Sequence, residues 1–165
     1  MKKLLLFFAA LCLVACNGND PVGGSTSKGD YVDLGLTSGT KWKVVNELNP
    51  QDSEHGFYTY DEAVSAFGEN LPTKEQWMEL VNECTWKWTG MGYKVIGSNG
   101  NSIILPAAGY HDDFYDAVTR VGQVGRYWSS NPAGSQSAWA LSLGADNIGV
   151  GSYTRIAGYS VRLVK

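Results

Sequence analysis

Few side chains in this 165-residue chain have the chemistry for catalysis or metal binding: three cysteines (Cys12, Cys16, Cys84) and two histidines (His55, His111). Cys84 follows Trp77, Leu80 and Val81 at helical spacing, which puts its thiol on an apolar face and reads as buried and inert rather than nucleophilic. His55 and His111 stand alone, and no serine, histidine and acid occur in a spacing that supports a catalytic triad. The run His111-Asp112-Asp113, with Asp116, offers oxygens of the kind calcium takes, but it lacks a glycine-set loop and reads first as an exposed acidic loop. Trp86 and Trp88 alternate and share one strand face, where core packing outweighs a platform for stacking sugars. No catalytic residue, metal ligand or cofactor is assigned, and the chain is expected not to be an enzyme.

With 44% hydrophobic and 18% charged residues, the composition is that of a folded domain and too apolar for a disordered one. A net charge of -3 with no basic stripe argues against nucleic acid as a partner. Three cysteines cannot build a disulfide framework. The first residues, MKKLLLFFAALCLVAC, place Lys2 and Lys3 ahead of an apolar run from Leu4 to Val14 that is too short to cross a membrane, the pattern of a secretory signal. Its end, Leu13-Val14-Ala15-Cys16, resembles the lipobox of bacterial lipoproteins. That resemblance implies cleavage before Cys16, lipid on Cys16 as the link to a membrane, and, with Asn17 rather than Asp following, the outer membrane as location. The division expected is therefore a signal at 1–15, a lipidated cysteine and flexible Gly/Ser/Asn-rich tether at 16–29, and one domain at 30–165.

Within the domain, residues 31–36 and 41–45 alternate as two short strands about a turn. Tyr60, Ala63, Val64 and Phe67 fall at i, i+3, i+4 and i+7 before Gly68, and Thr73 with Gln76 forms a capping box ahead of Trp77, Leu80 and Val81, so two helices are expected. Asn99-Gly100 joins strands at 93–96 and 102–105 in a hairpin. Further strands are expected at 126–130, 138–143, 147–151 and 160–165. Helices early and strands late point to an α+β class with antiparallel sheets.

Several stretches together resemble one family. They are Tyr31-Val32-Asp33-Leu34-Gly35-Leu36, Leu71-Pro72-Thr73-Lys74-Glu75-Gln76-Trp77, Leu105-Pro106-Ala107-Ala108-Gly109-Tyr110, Tyr127-Trp128-Ser129-Ser130 and the closing Ser160-Val161-Arg162-Leu163-Val164. The order over residues 30–165 resembles the Fibrobacter succinogenes major paralogous domain of Bacteroidetes and Fibrobacter surface proteins. The resemblance implies a C-type-lectin-like fold, shared with formylglycine-generating enzymes, with two helices packed on short antiparallel sheets. It does not extend to those enzymes' cysteine pair, since Cys84 stands alone, nor to the calcium motif of sugar-binding lectins, since Asn131-Pro132 lacks an acidic partner.

The carboxyl-terminal strands carry the functional expectation. Side chains alternate across a strand, so Trp139, Leu141, Leu143, Ile148 and Val150 should face the core, beneath which Trp42, Trp77 and Trp128 also lie. The opposite face and the loop after it then give a ligand-binding set: Ser137, Ala140, Ser142, Gly144, Asn147, Gly149, Gly151, Tyr153, Thr154, Ile156 and Tyr159. In some surface proteins of this resemblance such positions are rewritten by retroelements. The expected role is recognition of an extracellular protein or glycan from the cell surface, with an enzyme of the formylglycine-generating type or a module of a surface assembly as alternatives.

Overall fold

Two capping boxes start the helices. The Thr59 side chain accepts from the Glu62 amide while Glu62 accepts from the Thr59 amide, opening α1 (Tyr60–Phe67); Thr73 and Gln76 do the same for α2 (Lys74–Glu83). Gly68, at φ 49°, ends α1, and a 3-10 turn, Gly68–Asn70, leads out. These residues belong to a computed structural model that describes residues 30–52 and 54–165. The expected signal at 1–15, Cys16 and the tether through 29 lie outside the described residues.

The remaining elements are strands: β1 (Tyr31–Asp33), β2 (Lys41–Lys43), β3 (Thr85–Trp88), β4 (Gly92–Ile96), β5 (Ser102–Pro106), β6 (Tyr110–Asp112), β7 (Ala117–Thr119), β8 (Val124–Pro132), β9 (Ser137–Gly144) and β10 (Asn147–Thr154). They form four antiparallel sheets among the described residues: β1-β2, β3-β4-β5, β6-β7 and β10-β9-β8. This corrects the expected α+β, C-type-lectin-like class. The chain is β-rich, and its two helices, 8 and 10 residues long, are too short to make a layer of their own. Two further expectations are revised. Residues 160–165 form isolated bridges (Tyr127 with Ser160, Glu47 with Val161, Trp42 with Val164) rather than a strand, and the acidic run at 111–116 belongs to the β6–β7 hairpin.

The β8–β10 sheet is packed on both sides. On one side Tyr127, Leu141 and Leu143 join Trp42, Trp77, Leu80, Val95 and Leu105, with Ile148 and Val150 at the margin. On the other, Trp128, Ala138 and Ala140 meet Tyr58, Tyr60, Ala63, Leu71 and Tyr159. Trp42, Trp77 and Trp128 are fully buried, whereas Trp139 is only half-buried, its ring covered by the Lys74 ammonium at 3.6 Å. Trp139 therefore belongs to the helix–sheet margin and not to the interior.

Arg162 ties these pieces together. Its buried guanidinium donates to the carbonyls of Lys43 (2.7 Å), Val44 (2.5 Å) and Ile104 (2.8 Å) and to Asn46 Oδ1 (2.9 Å). Replacing it by Met removes every donor from these four acceptors, so Arg162→Met should cost about 3–5 kcal/mol in urea unfolding, and Arg162→Lys nearly as much. Burial also pushes the hydroxyls of Tyr127 and Tyr159 up to about 12 from an ordinary 10.0. Stability from these groups is complete below pH 10 and is lost as pH rises through 12, because only the unfolded chain ionises readily in that window. In an alkaline titration the tyrosinate absorbance that Tyr127 and Tyr159 contribute, read as the part lost in a Tyr127→Phe/Tyr159→Phe variant, should therefore appear together with loss of near-UV circular dichroism.

Candidate ligand-binding face

Strand register defines the face on which the ligand set was placed. Gly151 opposes Ala140, which opposes Trp128; Gly149 opposes Ser142, which opposes Arg126; Asn147 opposes Gly144, which opposes Val124. Directly opposed residues project to the same side of a sheet, so these three rows and Tyr153, opposite Ala138, share one surface.

That surface is divided. Toward Ala138 it is closed: Ala140 is 0% exposed and Tyr159 1%. Tyr159 stacks on Trp128 with centroids 4.2 Å apart, Tyr60 meets Trp128 edge-on at 5.6 Å, and the Tyr153 ring folds back over Gly151. Ala140 and Tyr159 are thus corrected from ligand contacts to core residues. The expected loop turns its aromatic ring inward and caps this end instead of rimming it. Toward the β9–β10 turn the surface is open: Ser142, Gly144 and Gly149 are half-buried, Asn147 is exposed, and a Cβ at Gly149 would meet nothing within 4 Å, whereas Gly151 lies under the Tyr153 ring at the boundary. Tyr153 is half-buried on the boundary. Ser137 and Thr154 oppose each other one residue out of phase with Ala138 and Tyr153, so both project to the other side of the sheet and Ser137 is corrected out of the ligand set; Thr154, with Ile156 (67% exposed), lines a separate cleft of about 500 Å³ beside Asp61, Ser135, Gln136 and Arg155. Arg155 is ion-paired there with Asp61.

The residue that organises the boundary is Arg126, which the sequence reading did not select. Its guanidinium carbon lies 3.7 Å from the Tyr110 ring centroid, 4.6 Å from that of Tyr153 and 5.4 Å from that of Tyr159, and Nη1 donates to the Tyr159 hydroxyl at 3.0 Å. Burial raises Tyr159 more than the nearby cation lowers it, so that hydroxyl remains a neutral acceptor. The signal was present. If Tyr127 points inward, strand alternation sends both Arg126 and Trp128 to the side expected to hold only small residues.

The other candidates resolve into structural roles. Cys84 is half-buried, and burial, then Glu83 and Glu79, pushes its thiol up to about 11. Trp86 and Trp88 pack edge-on against Tyr93 at 5.5 and 5.0 Å. An Asp112 oxygen accepts from the amides of Phe114 and Tyr115, and His111 Nε2 lies 3.4 Å from Asp116. His111 also lines a cleft of about 370 Å³ with Asp52, Glu62 and Ile156. Burial raises Asp52, but the amides of Phe57 and His55 outweigh it and hold the carboxyl below its usual value. Among the described residues, no group of three or more His, Cys, Asp or Glu is placed to hold a metal ion, and no helix is long and apolar enough to cross a membrane.

A family described as Domain of unknown function (DUF8237) matches residues 88–164, less than half of the chain. The match takes in β4 through β10 and so the whole divided face. No curated protein and no solved structure matches the chain.

The division of the face has a direct stability test. Gly149→Gln projects into open space and should change unfolding free energy by less than about 0.5 kcal/mol. Ala140→Leu must displace Tyr159 or Trp128 and should cost about 1–3 kcal/mol. At pH 8, a thiol raised to about 11 leaves on the order of one thiolate in a thousand, so Cys84 should label with iodoacetamide far more slowly than a free cysteine, read by peptide mass spectrometry.

Proposed function

We propose that this chain is a lipid-anchored protein of the outer membrane and cell surface that recognises an extracellular ligand, protein or glycan, without transforming it. The observation that carries this reading is the open half of the β8–β10 face. Ser142, Gly144, Asn147 and Gly149 form a low floor on a sheet whose reverse side is anchored in the core by Leu141 and Leu143, beside a wall of Arg126 and tyrosines. A rigid support under small side chains lets a partner approach backbone closely, and tyrosine gives contact area with few rotors to immobilise. The ligand set expected from sequence is reduced accordingly to Ser142, Gly144, Asn147 and Gly149, with Gly151 and Tyr153 at its boundary; Thr154 and Ile156 line the neighbouring cleft and leave the set.

The lipid anchor rests on the lipobox resemblance at Leu13-Val14-Ala15-Cys16, and the surface location also on the likeness of the Tyr31-, Leu71- and Leu105-led stretches to the Fibrobacter paralogous domain. Several acyl chains hold a protein to a bilayer at about 0.8 kcal/mol per buried methylene, enough for stable attachment where one chain is not. In a bacterial host, Cys16→Ser should abolish incorporation of labelled palmitate and move the protein out of the membrane fraction. Retention of both would remove the anchor. For recognition, the chain is screened against arrays of glycans and of extracellular proteins. A true ligand should lose at least tenfold in affinity to Gly149→Gln with the fold intact and keep its affinity to Ile156→Ala. A ligand indifferent to Gly149→Gln would remove the face from the reading.

A further inference from the structure

We infer that the open half of the β8–β10 face recognises a carboxylated sugar, with Arg126 holding the carboxylate; this rests on the recognition reading above and names its ligand class. The donors of Arg126 are unequally used. Nη1 is committed to the Tyr159 hydroxyl, Nε is buried with no acceptor, and Nη2 makes no hydrogen bond to the described residues. Nε and Nη2 lie on the same edge of the guanidinium plane, the edge that grips a carboxylate side-on through two parallel bonds. Among the described residues no carboxylate lies within ion-pair distance of Arg126. A cation fixed between tyrosine rings with its bidentate edge unfilled is unusual, because buried donors are nearly always satisfied. Nε is covered by the surrounding rings, so the acid reaches it as Tyr153, on edge strand β10, turns outward.

The floor decides between a sugar and an acidic peptide. Beside Arg126 lie Ser142, its direct cross-strand partner, then Gly149, Gly144 and Asn147. Glycine backbone admits the flat face of a pyranose, and the Ser142 hydroxyl and Asn147 amide, which make no hydrogen bond to the described residues, match ring hydroxyls. Peptide side chains would need pockets, and the five main clefts among the described residues are all lined by other side chains than these four.

The test titrates the full chain with trigalacturonate, 3′-sialyllactose, neutral lactose and a short polyglutamate, reading affinity by calorimetry and the Arg126 Nε–Hε resonance by NMR. At least one acidic sugar should bind tenfold or more above lactose, weaken as salt rises, and shift the Nε–Hε signal; which one does so separates uronic from sialic sources. Arg126→Gln should bring that sugar to the lactose level. Because truncating Arg126 also strips the tyrosines of their cation, Ser142→Asp serves as the second variant. It keeps the guanidinium and fills its edge from the opposite strand, and should lose at least tenfold for the acidic sugar. Equal binding of lactose, binding of polyglutamate as tight as that of the sugars, no binding of either acidic sugar, or full affinity in Ser142→Asp would each overturn the inference. If the acidic sugars fail while a ligand from the screen still loses affinity to Gly149→Gln, the carboxylate assignment falls and the recognition face stands.

Discussion

A buried cation, with no carboxylate of the described residues in ion-pair contact, holds the molecule closed. Arg162 draws four acceptors from two separated parts of the chain: the β2 exit at Lys43, Val44 and Asn46, and Ile104 in the middle of β5. Hydrogen bonds to a charged donor are among the stronger ones available to a protein, and all four here are made by one side chain that is itself 1% exposed. The geometry suits guanidinium alone, since an ammonium offers fewer donors in no fixed plane. Around this knot residues 160–165 run beside β2 and β8 through single bridges and backbone bonds, so a segment that is not itself a strand joins two sheets.

The second arginine works in the opposite sense. Arg162 spends its donors inside the fold, whereas Arg126 spends one and is otherwise held by aromatic faces. Rings restrain a cation without satisfying its hydrogen-bonding capacity, at about 0.5–1 kcal/mol each when exposed and more when dry. The same tyrosines that shut the Ala140 end of the sheet hold Arg126 at the edge of the open end. The closed and open halves of the face are consequences of one cluster, and moving Tyr153 or Tyr159 changes both.

Local chemistry was legible in the sequence to the extent that it is local. Thr59 and Thr73 cap as their spacing to Glu62 and Gln76 dictates, and Asn99-Gly100 turns β4 into β5, because these interactions close within a few residues. Pleat parity of β9 was also legible: Leu141 and Leu143 face the core. What parity cannot supply is whether something covers the second face. Ala138 and Ala140 look like solvent-tolerant small residues, yet they are small because Trp128, Tyr153 and Tyr159 need the room. The class assignment failed for a related reason. Two well-marked helices weigh heavily when a sequence is scanned in order, while the β6–β7 hairpin, hidden in an acidic run, and β3, behind two tryptophans, leave weak signals.

One feature of the first hairpin bears on how the protein behaves under load. β1 pairs only with β2, through three residues, and Tyr31 sits at the open end opposite Lys43. A pull applied ahead of Tyr31 meets those bonds one after another, as a zip fastener opens, rather than all at once in shear. Behind it β2 is fastened separately, by Lys165 at Lys41, by Leu163 at Lys43 and by the Arg162 knot. The first strand can therefore act as a mechanical fuse, peeling at low force while β2 and the β8–β10 sheet stay in place.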